Sequence, residues 1–358
     1  MSESIVIICP DTNFRLWPTR LAEAAIGGGK SSLFRLAASW ASAGCQVTIA
    51  GVNVLPGEAG GIKVVDLAGA AGQYDVAIYV TGYVGHFKDP MISGIQAHCN
   101  LLWLNGPHYI PPPPEVTIDW FIAPARFIAR LAIDEWGFPA ERVVTIPGEG
   151  VPRRYDLTTE ELRDEFAVIY ASTPLKGLGE AVTVIDKVRR DYPQLLLDVY
   201  GSTKLWGDHF EAQDRSGYPA WVRFINDLPQ PQVFARMPRY GLMLYLTKWV
   251  DAFSSSTAEA LANGVIVIAT AHGSNAEFIR HGWNGFLVSS NQNLEPNLTQ
   301  AEELLRCILA NPSHYSAMRR QAVRSVPTWD EQAAQWQQIW RSPQRVSAVR
   351  AVETSYSS

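Results

Sequence analysis

Leu242-Met-Leu-Tyr245, then Asp251-Ala-Phe-Ser254-Ser-Ser-Thr-Ala-Glu259-Ala-Leu-Ala-Asn-Gly264, then Val265-Ile-Val-Ile-Ala269 follow one another along the chain. The outer two are short, continuously apolar runs of the kind that fill a strand buried on both faces. Between them, Ser256 and Glu259 stand at capping-box spacing and open a short helix, which Gly264 ends. Strand, helix and strand in that order indicate a parallel sheet covered by helices.

The same rhythm extends both ways. Val168-Ile-Tyr170, Leu195 to Tyr200 and Val222-Arg-Phe-Ile225 precede this stretch, and Phe286-Leu-Val288 follows it. An earlier series comprises Ile5-Val-Ile-Ile-Cys9, Val47-Thr-Ile-Ala50, Asp75-Val-Ala-Ile-Tyr79, Leu101-Leu-Trp-Leu104 and Phe121-Ile-Ala123. Two series of similar size imply an α/β chain with two doubly wound, Rossmann-like domains facing each other. Their ligand is expected beyond the carboxyl ends of the strands, in the cleft. Turn formers crowd Pro147-Gly148-Glu149-Gly150-Val151-Pro152 after the strand-like Val143-Val-Thr-Ile146, which sets the boundary there. The expected domains are 1–148 and 149–327, followed by a terminal helix over 328–345 and a mobile tail over 346–358.

Composition narrows the function. Of 358 residues, 47% are hydrophobic and 18% charged, which suits two compact domains and not a disordered chain. Thirty Lys and Arg against thirty-five Asp and Glu leave a net charge of -5, without the basic surplus of a nucleic-acid binder. Cys9, Cys45, Cys99 and Cys307 have no C-x-x-C spacing and read as reduced thiols of a cytoplasmic protein. No metal site is expected. Met1 to Pro10 lacks the basic start and long apolar run of a secretory leader, and no stretch approaches the ~20 apolar residues of a membrane span.

Three stretches offer chemistry. Gly27-Gly28-Gly29-Lys30-Ser31-Ser32 precedes a helical segment, Leu33 to Ala43, and suits close approach of an anion or sugar. A phosphate loop would need glycine where Ala24 stands, and would leave the first strand at once, whereas about seventeen residues separate Cys9 from Gly27. Lys176, in Ser172-Thr-Pro-Leu-Lys176-Gly177, lies ahead of a helix, where its ammonium can meet a phosphate. Asp251 and Glu259 bracket a run of small residues at a helix N-terminus, giving backbone donors for phosphate and carboxylates for hydroxyls.

On these residues the sequence resembles the retaining glycosyltransferases of the GT-B fold, family 4. Their E-x7-E motif, commonly E-x-F-G-x4-E-A-x-A-x-G, is matched from Asp251 to Gly264, with Asp for the first Glu and Ser254 for the Gly. Gly27 to Gly29 is similar to the family's glycine-rich loop. Ala123-Pro-Ala-Arg-Phe with Val143 to Val151 is similar to its domain junction. Gly273-Ser-Asn-Ala-Glu277 and Gly282-Trp-Asn-Gly285-Phe-Leu-Val resemble the segments after the acid motif. Thr328-Trp329-Asp330 resembles the start of the terminal helix that packs back towards the first domain. Tyr170-Ala-Ser-Thr-Pro-Leu-Lys176-Gly177 resembles the phosphate-binding segment, but the Arg that usually precedes the Lys is absent. Lys204 and Lys248 are candidate substitutes.

The resemblance implies roles for particular residues. Asp251 and His108 are the candidate catalytic or sugar-contacting residues. The family's strand-end His is replaced here by Asn105, and His108 lies three residues on. Gly28, Gly29, Lys176, Ala252, Phe253 and Ser254 would hold the donor sugar and diphosphate. Glu259 would hold the ribose, and Asp227 and Leu228, in Phe224-Ile-Asn-Asp-Leu228, would read the base. The implied reaction is metal-independent transfer from a nucleotide diphosphate sugar, with retention, to a small-molecule or oligosaccharide acceptor. No other cofactor is implied. Trp120, Trp136, Trp206, Trp249 and Trp283 are candidates for stacking on sugars, with Trp249, two residues before Asp251, foremost. Two rivals remain at this point: an ATP-dependent enzyme using Gly27 to Ser31, and a non-catalytic nucleotide-sugar-binding protein on the same fold.

Overall fold

The computed structural model describes residues 2–81, 87, 90–146, 150–158, 163–211, 215–225 and 227–341. Pro147 to Glu149 of the expected boundary and the tail beyond Arg341 lie outside the described residues. Strands β1 (Ser4–Cys9), β2 (Gln46–Gly51), β3 (Gly57–Ala59), β4 (Ile62–Asp66), β5 (Gly72–Val80), β6 (Ile95–Trp103), β7 (Trp120–Ala123) and β8 (Val143–Thr145) form one sheet. Strands β9 (Asp164–Tyr170), β10 (Leu196–Val199), β11 (Val222–Phe224), β12 (Tyr240–Tyr245), β13 (Ile266–Thr270) and β14 (Phe286–Val288) form a second. The helices are α1 (Arg20–Glu23), α2 (Gly28–Ser42), α3 (Arg126–Arg130), α4 (Leu178–Val188), α5 (Gln230–Arg236), α6 (Ser255–Ala262), α7 (Asn275–Phe278), α8 (Leu298–Ala310), α9 (Ser316–Ser325) and α10 (Trp329–Arg341). By contacts the chain divides into two units, Met1–Thr19 with Leu33–Gly148 and Trp329–Ser358, and Arg20–Ser32 with Glu149–Thr328.

Both sheets are parallel apart from the β3–β4 pair, as the continuous apolar runs predict. Ile5 to Ile8 are fully buried in the middle of the first sheet, and Val168 to Tyr170 and Leu242 to Leu244 in the second. The hairpin of β3 and β4 was not read from the sequence, because its three-residue first strand is too short to show a period. In the first unit Trp40, on α2, meets Trp336 at 5.9 Å and Trp340 at 5.7 Å, both on α10, and its indole N–H donates to Ala333 O at 3.2 Å. Trp103 meets Trp336 at 5.1 Å, so α10 is held by aromatic burial against that sheet.

Two local expectations are corrected. Helix α2 begins at Gly28, five residues before the expected Leu33. The amides of Lys30 and Ser31 bond back to Gly27 O, and the Ser31 and Ser32 hydroxyls to Gly28 O, which winds the glycines into the first turn. The Ser256 capping box does not form. Helix α6 starts at Ser255 with Ser254 as its cap, and the Glu259 carboxylate accepts instead from Gln230 Nε2.

The second sheet runs β11-β10-β9-β12-β13-β14. The chain therefore works outward in one direction from β9 and then in the other from β12. Where the order reverses, the loops leaving adjacent strands part, and a crevice opens at the carboxyl ends of β9 and β12.

Glu3 and Arg341 make a bidentate pair at 2.6 and 2.8 Å that fastens α10 in the first unit. The Arg341 hydrogen bond holds the Glu3 carboxyl below its ordinary value, so its stabilisation is present above that value and lost as pH falls through the lowered one. Urea melts should show Glu3→Gln destabilised by up to about 1 kcal/mol at pH 7, with the difference shrinking as pH is lowered below the ordinary carboxylate range.

Candidate functional site

Lys176 and Asp251 leave the two strands that flank the reversal in the second sheet. After β9 the chain passes through Ser172 and Thr173 to a single turn, Pro174–Lys176, ahead of α4. After β12 it runs on to Asp251, ahead of α6. Gly177 lets the two loops meet. Its φ is +106°, and a Cβ there would lie 2.3 Å from Leu246 O, closer than any side chain allows. Trp249 adds a second tie: its indole N–H donates to Leu175 O at 3.2 Å, and the Lys176 ammonium lies 5.9 Å from its ring centre.

Asp251 is 7% exposed, and both carboxylate oxygens are engaged. Lys176 Nζ donates to Oδ1 at 2.5 Å, and Tyr245 Oη donates to Oδ2 at 2.6 Å. Burial, reinforced by the Asp251 charge, pushes the Tyr245 phenol far above its ordinary value, so it keeps its proton and donates it to Asp251. The Ser274 amide donates to Asp251 O at 3.1 Å, which brings in the loop ahead of α7. His272 lies 3.1 Å from Trp249 O through Nε2. Burial lowers its imidazole below the ordinary value, so the neutral ring with hydrogen on Nε2 makes this contact.

Around this carboxylate stand hydroxyls that bond to nothing. Ser254 Oγ, Ser274 Oγ and Thr173 Oγ1 are buried without a hydrogen-bond partner. Ser254 occupies the cap position of α6, yet its side chain does not cap. Orphaned buried hydroxyls are costly, and these lie in the segments that meet at Asp251, beside a helix start. The set suits an oxygen-rich anion.

Helix α6 carries Glu259 in its second turn, 8% exposed. Thr257 to Ala262 are all buried, and Ala258, Ala260 and Ala262 are small enough for the helix to lie inside the unit. Gly264, at φ +68°, ends it as the sequence predicts. Arg163 donates to Asn263 O at 2.9 Å and to Tyr240 O at 2.7 Å, and Arg319, 3% exposed, donates to Gly264 O at 2.7 Å. Two guanidinium groups thus sit at the negative end of the helix.

Asp227 accepts from Ser202 Oγ at 2.8 Å through Oδ2, while its Oδ1 is buried without a partner. Leu228 is partly buried against the core of the unit, and Gln230, two residues further, reaches Glu259. Ala252 is buried, and the Phe253 ring lies 5.1 Å from Phe278. The structure thus brings together Asp251, Lys176, Ala252, Phe253 and Ser254, and joins Glu259 to the segment of Asp227 and Leu228 through Gln230. Gly28 and Gly29 lie in the first turn of α2, and His108 is exposed in the loop after β6 of the first unit. Lys204 is exposed, and Lys248 pairs with Glu295 at 3.2 Å. Trp249 is 42% exposed.

Sequence reading missed Tyr245, Thr173, Ser274, Ser202 and Gln230. Only Tyr245 carried a signal: a tyrosine in an otherwise apolar buried strand must find a partner for its hydroxyl. The hydroxyl residues are too common in loops to stand out. Among the described residues, no group of three or more His, Cys, Asp or Glu side chains is arranged to hold a metal ion, and no helix is long and apolar enough to cross a membrane.

Residues 159–324 match the family described as Glycosyl transferases group 1. No curated protein matches the chain. Among solved structures, HepE (Alr3699) of Anabaena in complex with UDP-glucose is similar, with a TM-score of 0.65 at 15% identity over 94% of this chain and 100% of that one. Sucrose-phosphate synthase of Thermosynechococcus elongatus gives 0.69 at 13% identity over 95% and 98%. A glycosyltransferase of Rickettsia africae gives 0.63 at 12% identity over 95% and 98%. At such identities these likenesses establish the fold, which is GT-B with its two parallel-rich α/β sheets. Residues 159–324 thus form a domain of the group 1 glycosyl transferase type, set within a chain of GT-B fold.

Proposed function

We propose that the chain transfers a sugar from a uridine diphosphate sugar to a hydroxyl acceptor. The observation that carries this reading is the largely buried Lys176–Asp251 pair ahead of α6, with unpartnered buried hydroxyls in the segments that meet there. UDP-glucose in the Anabaena structure supports the choice of base.

Lys176 and the positive end of α6 would face the diphosphate, where negative charge grows as the bond from the sugar's anomeric carbon to the phosphate oxygen breaks. Asp251 would accept from sugar hydroxyls, and the amides and side chains of Ala252, Phe253 and Ser254 would line the same place. Glu259 would take the ribose hydroxyls, displacing the Gln230 amide. Asp227 and Leu228 would meet the base. Gly28 and Gly29 are assigned to the donor, and His108 to catalysis or sugar contact, on the resemblance alone. In a front-face reaction the acceptor oxygen bonds to the anomeric carbon on the side the phosphate leaves. The departing phosphate oxygen takes the acceptor's proton, so no enzymic nucleophile is needed.

A thermal-shift series with UDP, GDP, dTDP, ADP and ATP, with and without magnesium, tests the reading. UDP at about one hundred times its dissociation constant should add roughly 2.7 kcal/mol, and Glu259→Ala should abolish the shift. A shift seen only with magnesium-ATP and lost in Lys30→Ala would replace the proposal with an ATP-dependent enzyme. UDP-sugar binding with no transfer to any sugar or hydroxyl acceptor would leave a binding protein. Ser254→Ala should separate folding from function. Removing an unpaired hydroxyl should raise the free protein's stability by up to about 1 kcal/mol in urea melts, while UDP affinity falls roughly tenfold.

A further inference from the structure

The geometry points to Tyr245 as a positioning residue and to the Lys176–Asp251 pair as a resting lock that the donor opens. This inference rests on the donor site proposed above. Both oxygens of Asp251 are taken, Oδ1 by Lys176 at 2.5 Å and Oδ2 by Tyr245 at 2.6 Å. Each oxygen keeps a second lone pair, yet Lys176 holds the place beside Oδ1, and an ammonium bonded to the carboxylate is only partly available to phosphate. The carboxylate and a diphosphate therefore compete for the one ammonium.

Lys176 is the partner that can move. Its side chain is 20% exposed and flexible, whereas the Tyr245 ring is fully buried in the core at the end of β12. A diphosphate at the start of α6 competes with Asp251 for the ammonium. Once Lys176 turns to it, Oδ1 is free to accept from the sugar. Tyr245 then holds the carboxylate through Oδ2 and keeps Oδ1 facing the place Lys176 has left. The short aspartate side chain makes this second anchor necessary, since it brings the carboxylate within reach of a hydroxyl fixed in the strand.

A lock of this kind lowers nucleotide affinity, because only the fraction of molecules with Lys176 released can bind fully. Binding of UDP, which has no sugar, is measured by calorimetry on the full chain for wild type, Asp251→Asn, Lys176→Met and the double variant. Asp251→Asn is expected to tighten UDP roughly fivefold while transfer falls by more than about a hundredfold. In the Lys176→Met background the same substitution is expected to leave UDP affinity unchanged. Equal tightening in both backgrounds would mean that the carboxylate acts only through its field, and no tightening would mean that it does not compete at all. Either result overturns the lock.

Tyr245→Phe tests the anchor: UDP affinity should stay within about twofold of wild type, while kcat falls at least tenfold more than KM changes. A parallel loss of UDP binding, or no loss of kcat, overturns the positioning role. A wild-type chain that binds no UDP would overturn the lock and the donor assignment together. A wild type that transfers sugar but shows no coupling between Asp251 and Lys176 would overturn the lock alone.

Discussion

A positive and a negative charge, both largely out of water, have to be kept together in the second unit, and the local architecture serves that requirement. Lys176 and Asp251 are seventy-five residues apart, and only the strand order of the sheet makes their loops neighbours. Removing either partner would leave the other as a poorly solvated charge, a far larger penalty than the pair itself repays. Hence the supporting contacts: the bare Gly177 against Leu246, the indole of Trp249 on Leu175, and the Ser274 amide on the Asp251 carbonyl. Each fixes backbone, so that the side chains have one place to meet.

Helix α6 turns that meeting point into a site. It is short and wholly buried beyond its first turn, which its alanines permit, and it has different chemistry at its two ends. At its start is the unpartnered Ser254 hydroxyl. Just past its end Arg163 and Arg319 donate to the Asn263 and Gly264 carbonyls. The guanidinium groups offset the negative pole, leaving the positive pole to act on whatever anion lies beside Asp251.

The architecture was largely legible in the sequence, since buried parallel strands leave unbroken apolar runs, and every such run from Ile5 to Val288 lies in a sheet. What escaped was set by distance contacts or by very short segments. The β3 strand has no readable period. The start of α2 was hidden because glycines argue against a helix, while the Ser31 and Ser32 hydroxyls that close its first turn leave no pattern. At the site the acids and the lysine could be found through spacing and type. Their pairing with each other, and the part played by Tyr245, could not, because spacing along the chain does not encode which side chains face each other across two loops. Ser256 misled for a related reason: its spacing to Glu259 was right, but Gln230 from another helix had the stronger claim on the carboxylate.

Both sheets end, on both sides, in strands of three residues: β3 and β8 in one, β11 and β14 in the other. Such a margin offers only a few free amides and carbonyls to another chain, and Glu58 opposite Lys63 and Arg223 on β11 put charge there as well. Fourteen strands among the described residues could invite sheet-to-sheet growth between molecules, above all while parallel strands, slow to pair, await their neighbours during folding. Trimming the margins limits that growth and leaves the long, sticky strands in the interior, so that colloidal behaviour is governed by loops and helices.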